Sequence, residues 1–222
     1  MKRILSLGLG LAMVATVAAQ DKVIALTAPD MTRPATLMQA LSSRHSDRTF
    51  APGALKPADL SDLLWAANGI NRPAEGKRTA PSAMNRQEVD IYVATAEGAY
   101  RYDAAGQRLV LVTGRDLRAA VAAGQDFAAT APACLILVAD LSKLGDASAE
   151  RTRLMGAADV GIVSQNISLF CAAAGLSTVP RATMDSATLR EALGLSEAQL
   201  PVLNHPVGYP AEPAGKAAVW PG

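Results

Sequence analysis

"VDIYVATAEGAYRYDAAGQRLVLVT", residues 89–113, decides the fold class. Its outer runs, "VDIYVATA" and "RLVLVT", are rich in the β-branched residues that strands favour, and the short "AYRYD" lies between them. Turns at Glu97-Gly98 and Ala105-Gly106 leave room only for tight connections, so the three runs form an antiparallel meander. Downstream, "RDLRAAVAAG" predicts a helix stopped by Gly124, and "ACLILVAD" (133–140) predicts a strand apolar on both faces and therefore central. Residues 150–174 form the longest predicted helix. Gly156, Ala157, Ala158, Gly161 and Ser164 give it a surface that another helix can approach closely, so it is expected to be buried, in part against a second subunit. A strand in "LSTVP", a helix in "SATLREALG" and a last strand in "PVLNHPVGY" follow. Upstream, "ATLMQALSSR" and "PADLSDLLWAANG" read as helices, the second with Pro57 in its first turn and Gly69 at its stop. The order predicts an α+β domain in which helices flank a mixed, mainly antiparallel sheet.

The chain has 222 residues, half of them hydrophobic, which suits one domain with a full-sized core. Twenty-one basic against 20 acidic side chains leave a net charge of +1, which excludes a global pull toward nucleic acid or an anionic membrane. Any anion site must be built locally. Residues 1–19, with Lys2 and Arg3, an apolar run from Ile4 to Val17 and the small Val17-Ala18-Ala19, have the form of a secretory signal peptide rather than a membrane anchor. Residues 20–34 then read as a linker and 35–222 as the domain, exported to a bacterial periplasm. Cys134 and Cys171 are the only cysteines and read as buried small hydrophobes, with a bridge between them as the minor alternative. His45 and His205 are the only histidines, so no metal site is expected. A hydrolase is disfavoured as well: there is no G-x-S-x-G, and Ser164 in "GIVSQ" sits in an apolar helix with no histidine expected at hand.

Three constellations carry chemistry. "SSRHSDRTF" (42–50) gathers Arg44, His45, Ser46 and Arg48, donors suited to a phosphate; the alternative is a helix end whose basic residues complement the dipole, with Asp47 paired to an arginine. "RTAPSAMNRQEVDIYV" (78–93) opens a short helix and projects the carboxamides of Asn85 and Gln87, which can complement the alternating acceptor and N–H edge of a flavin; the alternative is Ser82 as a helix N-cap with Asn85 facing solvent. "GLSTVPRATMD" (175–185) with "HPVGYP" (205–210) offers backbone N–H groups to a planar ligand, or simply turn chemistry.

Taken in order, "RHSDRTF", "APSAMNRQE", "AAAGLSTVP" and "PVGYP" resemble the nitroreductase family of FMN-dependent oxidoreductases, from about Leu37 to Tyr209. The resemblance implies an extensive homodimer with two FMN molecules at the subunit interface. Arg44, His45 and Ser46 would hold the FMN phosphate, and Arg48 would lie near the N1/O2 edge, where positive charge favours the reduced ring. Ser82, Ala83 and Met84 would line the ring, Asn85 and Gln87 would meet its polar edge, and the turn at Ala182-Thr183 would approach N5. Lys216 is the one candidate for a C-terminal basic residue that helps hold phosphate in some relatives. The substrate would be a small molecule or peptide. The contrasting functional class is a non-catalytic flavin-binding carrier or sensor.

Two departures bear on substrate and electron donor. Many nitroreductases place an acidic residue and a glycine where this chain has Ala182 and Thr183, and an aromatic after "NxQP" where it has "NRQEVDIYV". The second feature resembles the branch containing the azoline-oxidising dehydrogenases of peptide maturation. Export would also separate the enzyme from the cytoplasmic nicotinamide pools, so NAD(P)H would not readily reduce it: either a small exported reductant or a redox protein is the donor, or the flavin oxidises a substrate and passes the electrons onward.

Overall fold

A seven-stranded sheet forms the centre of this computed structural model, which describes residues 22–211. Its order is β1 (Val23–Ala25), β6 (Arg108–Thr113), β5 (Gly98–Asp103), β4 (Val89–Thr95), β7 (Ala133–Asp140), β9 (Gln199–Gly208) and β8 (Ser177–Thr178). The expected meander is present, with Val93 opposite Tyr100 and Tyr102 opposite Leu109. Each pairing in the sheet is antiparallel, which gives the α+β class its predominantly antiparallel character.

β7 is central because it is apolar on both faces. Leu135, Leu137 and Ala139 point to one side, where they meet Leu63, Leu64 and Ala67 of α2 (Pro57–Asn68) and Val160, Val163 and Ile167 of α5 (Glu150–Ala174). Cys134, Ile136 and Val138 point to the other, against Val121 of α3 (Arg118–Ala122) and Leu189 and Leu193 of α6 (Ser186–Leu193). Alternation along one strand thus builds two cores and three layers. Each of the large side chains buried there contributes about 1.5–3 kcal/mol by leaving water. Cys134 and Cys171 lie in different cores on opposite faces of the sheet, both as free thiols, and burial pushes the Cys134 thiol up to about 12.

α5 has the predicted span and ends at Gly175, whose φ of 68° is the left-handed closure glycine permits. Its inner face packs on the sheet at Gly156, where a Cβ would stand 2.7 Å from Leu141 Cδ2 and 3.2 Å from the Ala139 Cβ. Its outer face is bare: Leu154, Ala157, Ala158, Gly161 and Ile162 are exposed. The expected burial is therefore realised on one side only within a single copy.

Three features were not foreseen. Residues 23–25, inside the expected linker, form an edge strand, with Val23 opposite Val110. A three-residue exposed strand has no alternation to betray it. A hairpin of β2 (Ile70–Arg72) and β3 (Lys77–Arg78) turns through Gly76, and α4 (Asp126–Thr130) is a single turn. The strand expected over "LSTVP" is reduced to Ser177–Thr178, since Pro180 carries no N–H for a ladder. α1 spans Leu37–Ser43 and is closed by a capping box between Thr36 and Gln39. The expected signal peptide and Lys216 lie outside the described residues.

Candidate functional site

The loop after α1 owes its shape to Asp47. Its N–H donates to Thr178 O (2.9 Å), the Ser177 hydroxyl donates to its Oδ2 (2.5 Å), and the Thr49 N–H and hydroxyl donate to its Oδ1 (3.1 and 2.9 Å). Partial burial pushes this carboxyl up, but the donors from Ser177, Thr49 and Arg48 outweigh it and hold the group below its ordinary value. Asp47 is thereby occupied, and the alternative in which it pairs with an arginine is not realised. Among the described residues neither Arg44 nor Arg48 makes an ion pair, and nothing engages the Arg44 guanidinium or the Ser46 hydroxyl. His45 is exposed, its Nδ1 at 2.8 Å from Ser43 O. Arg48 lies over the Phe127 ring, 5.9 Å from its centroid. The result is a group of cationic and hydroxyl donors that forms no ion pair with Asp47, the carboxylate in its midst.

The same anchoring brings the 178–183 segment alongside. Buried Arg181 donates to Val121 O, Ala122 O, Gln125 Oε1 and Asn204 Oδ1, and the Asn204 amide donates to Thr183 O (3.0 Å). Ala182 and Thr183 are exposed on a turn held rigid from beneath. None of this was expected of Arg181. A lone arginine in a turn gives no sequence signal that its partners are carbonyls about 60 residues upstream.

The Ser82–Gln87 loop is a separate cluster. Ser82 Oγ accepts the Gln87 N–H (2.9 Å), which closes the loop, and Ser82 makes no side-chain cap. Met84, Asn85 and Gln87 take positive φ of 52°, 55° and 51°. Asn85 and Met84 are exposed, Ser82 and Ala83 half-buried. Gln87, expected to face a ligand, has its Oε1 on Arg78 Nε (2.9 Å) and its Nε2 on Gly76 O (2.9 Å), so its amide holds the β2–β3 hairpin. The loop is tied to α5 by the Ala83 N–H, which donates to Asp159 Oδ2 at 2.6 Å.

α5 also measures the distance between the clusters. Asp159 grips Ala83, while the helix end at Ala174 leads through Leu176 into Ser177 and Thr178, which hold Asp47. At 1.5 Å per residue the two points are about 22 Å apart along the axis. Two of the three sequence motifs thus meet in one copy of the chain, and the third stands at a distance.

Two buried polar groups were missed. Glu88 is fully buried, and its carboxyl is pushed up to about 7, first by burial and then by the neighbouring Asp159. The second is a correction: Ser164 does have a histidine at hand. Its hydroxyl lies 2.7 Å from His205 Nε2, and His205 Nδ1 lies 3.1 Å from Thr178 Oγ1. Thr178 donates its own proton to Pro206 O (2.9 Å), so it accepts from Nδ1–H, and Nε2 accepts from Ser164. Burial pushes His205 down to about 3, which keeps it neutral. With no carboxylate in the chain of bonds and no exposure of His205, this is a core network and no nucleophile.

The sequence matches the Nitroreductase family over residues 41–209, which takes in both clusters and the sheet from β4 to β9. A protein of Methanocaldococcus jannaschii named as a nitroreductase is 31% identical over 186 residues, covering 79% of this chain and 92% of its own. A solved structure from Ralstonia eutropha, also named as a nitroreductase, superimposes with a TM-score of 0.80 at 38% identity, over 88% of this chain and 93% of its own. The NADPH:FMN oxidoreductase of Vibrio harveyi, solved with NAD+, shares the fold with a TM-score of 0.59 at 21% identity, over 80% of this chain and 70% of its own. By sequence along most of its length and by architecture, the chain belongs to the nitroreductase family.

Proposed function

We propose that the protein is an FMN-dependent oxidoreductase working as a homodimer, each flavin site combining the Arg44–Arg48 loop and Ala182-Thr183 turn of one copy with the Ser82–Gln87 loop of the other. The carrying observation is the pairing of an uncommitted donor cluster with a second motif about 22 Å away along α5 in the same chain. Two copies packed through the bare face of α5 offer a way to close that gap. The donor set fits the group: a guanidinium, an imidazole and a hydroxyl, with the one carboxylate among them turned to Ser177 and Thr49, are the chemistry of a phosphate site. When bound, the flavin supplies hydride and electron transfer.

The chain's own residues orient and tune. Arg44 and Ser46 would fix the phosphate, His45 would add a ring nitrogen, and Arg48, braced on Phe127, would bring positive charge to the N1/O2 edge. Asn85, held outward on its left-handed turn, would meet the polar edge of the ring, and Ala182-Thr183 would present the backbone near N5. The substrate is read as a small molecule or peptide. "NRQEVDIYV" favours the branch of the azoline-oxidising dehydrogenases, and export to the periplasm favours a donor other than NAD(P)H.

The test compares FMN with riboflavin, which lacks the phosphate. Charge-assisted hydrogen bonds contribute about 1.5–3 kcal/mol each, so Arg44→Ala should weaken FMN roughly tenfold to several hundredfold and leave riboflavin little changed. Arg44→Ala protein that purifies fully loaded with FMN would overturn the phosphate reading. Anaerobic mixing of the loaded enzyme with NADPH separates the donors by whether the yellow colour bleaches.

A further inference from the structure

Behind the Ser82–Gln87 loop stand two carboxyl groups that neither the cores nor the proposed flavin contacts explain. Glu88 is 0% exposed, and neither of its carboxyl oxygens has a hydrogen-bond partner. Beside it, from the inner face of α5, stands Asp159, 7% exposed, whose Oδ2 accepts the Ala83 N–H. The cation nearest them is Lys143, in the turn after β7. Its Nζ lies 3.4 Å from Gln87 O and 3.9 Å from Asp140 Oδ2, and it makes no ion pair with Glu88 or Asp159. Asp140, at the end of β7, donates its backbone N–H to Glu88 O (2.9 Å).

As a carboxylate, Glu88 would be a buried acceptor with no donor, next to a second negative charge. As a carboxylic acid it carries a proton of its own, and Asp159 is the group beside it that can accept one. Two adjacent buried carboxyl groups do not both ionise without a large penalty, and Glu88, which has no donor, is the one that keeps a proton.

We propose that Glu88 and Asp159 share one proton and that this proton positions the Ser82–Gln87 loop. With the proton present, Glu88 donates to Asp159, and the single charge remaining grips the Ala83 N–H. When the Glu88 O–H bond breaks heterolytically and the proton passes to water, two like charges face each other, Asp159 shifts, and its hold on Ala83 slackens. The loop is poised for this, because Met84, Asn85 and Gln87 already sit at positive φ. Burial together with Asp159 places the transition near pH 7. Glu88 and Asp159 are positioning residues. The consequence for cofactor affinity rests on the flavin reading above; the shared proton does not.

The experiment uses the full chain, first without flavin. Infrared titration from about pH 5 to about pH 9 should show one protonated carboxyl lost near neutrality, absent in Glu88→Gln and lost at lower pH in Asp159→Asn. Over the same range, amide exchange at Ala83, expressed as a protection factor, should fall about tenfold in the wild type and stay level in Glu88→Gln. FMN affinity should follow Ala83 protection in the wild type and lose its pH dependence in Glu88→Gln. The proposal is overturned if Glu88→Gln keeps the carboxyl signal, or if its Ala83 protection varies with pH as the wild type's does. A wild type that binds no FMN at any pH would remove the flavin reading and leave the first two measurements to decide the pair.

Discussion

Met84 pays the clearest local cost in the molecule. A non-glycine residue in the left-handed region is strained by roughly 1–2 kcal/mol, whereas asparagine at 85 tolerates it better. Met84 is 65% exposed, so little packing offsets that strain. Met84→Gly should relieve it at the expense of unfolded-chain entropy, for a net gain of about 0.5–1 kcal/mol in urea unfolding. If the strained loop is set for a ligand, the same variant should bind FMN more weakly, since a freer loop must be ordered on binding. At this scale a dense run of chemistry was legible as a group of side-chain donors, Arg44, His45, Ser46 and Arg48, but their partners were not: Asp47 bonds Ser177 and Thr49, Arg48 lies over Phe127, and Gln87 bonds Arg78 and Gly76. Glu88 and His205 were not legible as functional or network residues. Ser164 and His205 are 41 residues apart, and Ala83 meets Asp159 across 76, so only the tertiary fold reveals them.

α5 shows how one element carries two sets of instructions. Its boundaries, its small residues and its terminal glycine could be read from the sequence because a 25-residue run, apolar and small through its interior, averages over many positions. β1, the β2–β3 hairpin and α4 could not, being two to five residues long and dependent on neighbours for their form. The two glycines of α5 separate its faces experimentally. Gly156→Ala places a methyl against Leu141 and Ala139, and overpacking of about 1–3 kcal/mol should exceed the helix-propensity gain of about 1 kcal/mol, lowering the unfolding midpoint. Gly161 has nothing within 4 Å of its would-be Cβ, so Gly161→Leu should stabilise a single copy by up to about 1 kcal/mol through helix propensity. Sedimentation should then show Gly161→Leu shifted toward monomer at micromolar concentration while the wild type remains dimeric. A monomeric wild type would remove the interface assigned to this face.

Across the whole molecule, two buried groups whose protonation equilibria shift in opposite directions on folding give stability its main dependence on pH in the mildly acidic range. The Glu88 carboxyl goes from an ordinary value of 4.5 to about 7 on folding, so between those values the folded state holds a proton that the unfolded chain has lost, and stability falls as pH rises. His205 goes from 6.5 down to about 3, so the unfolded chain holds the extra proton there, and stability falls as pH drops. Between about 4.5 and 6.5 the two slopes oppose each other and nearly cancel. Below that interval the His205 loss continues, joined under about pH 4 by carboxylates such as Asp47 and Asp116 whose donors hold them low. Above it, from 6.5 to about 7, only the Glu88 loss continues. Urea unfolding of the wild type should therefore show a plateau over mildly acidic pH with a decline on either side. Glu88→Gln should convert the plateau into a rise toward pH 6.5 that then stays level, with a gain over the wild type of the order of 3 kcal/mol at pH 8. His205→Gln should give the mirror image, with the His205 share of the fall below about pH 4.5 removed and a decline from about pH 4.5 to 7 in place of the plateau. A wild-type stability that climbs from pH 5 to pH 6.5 and then stays level would mean that Glu88 carries no proton into the fold, because His205 alone produces that slope.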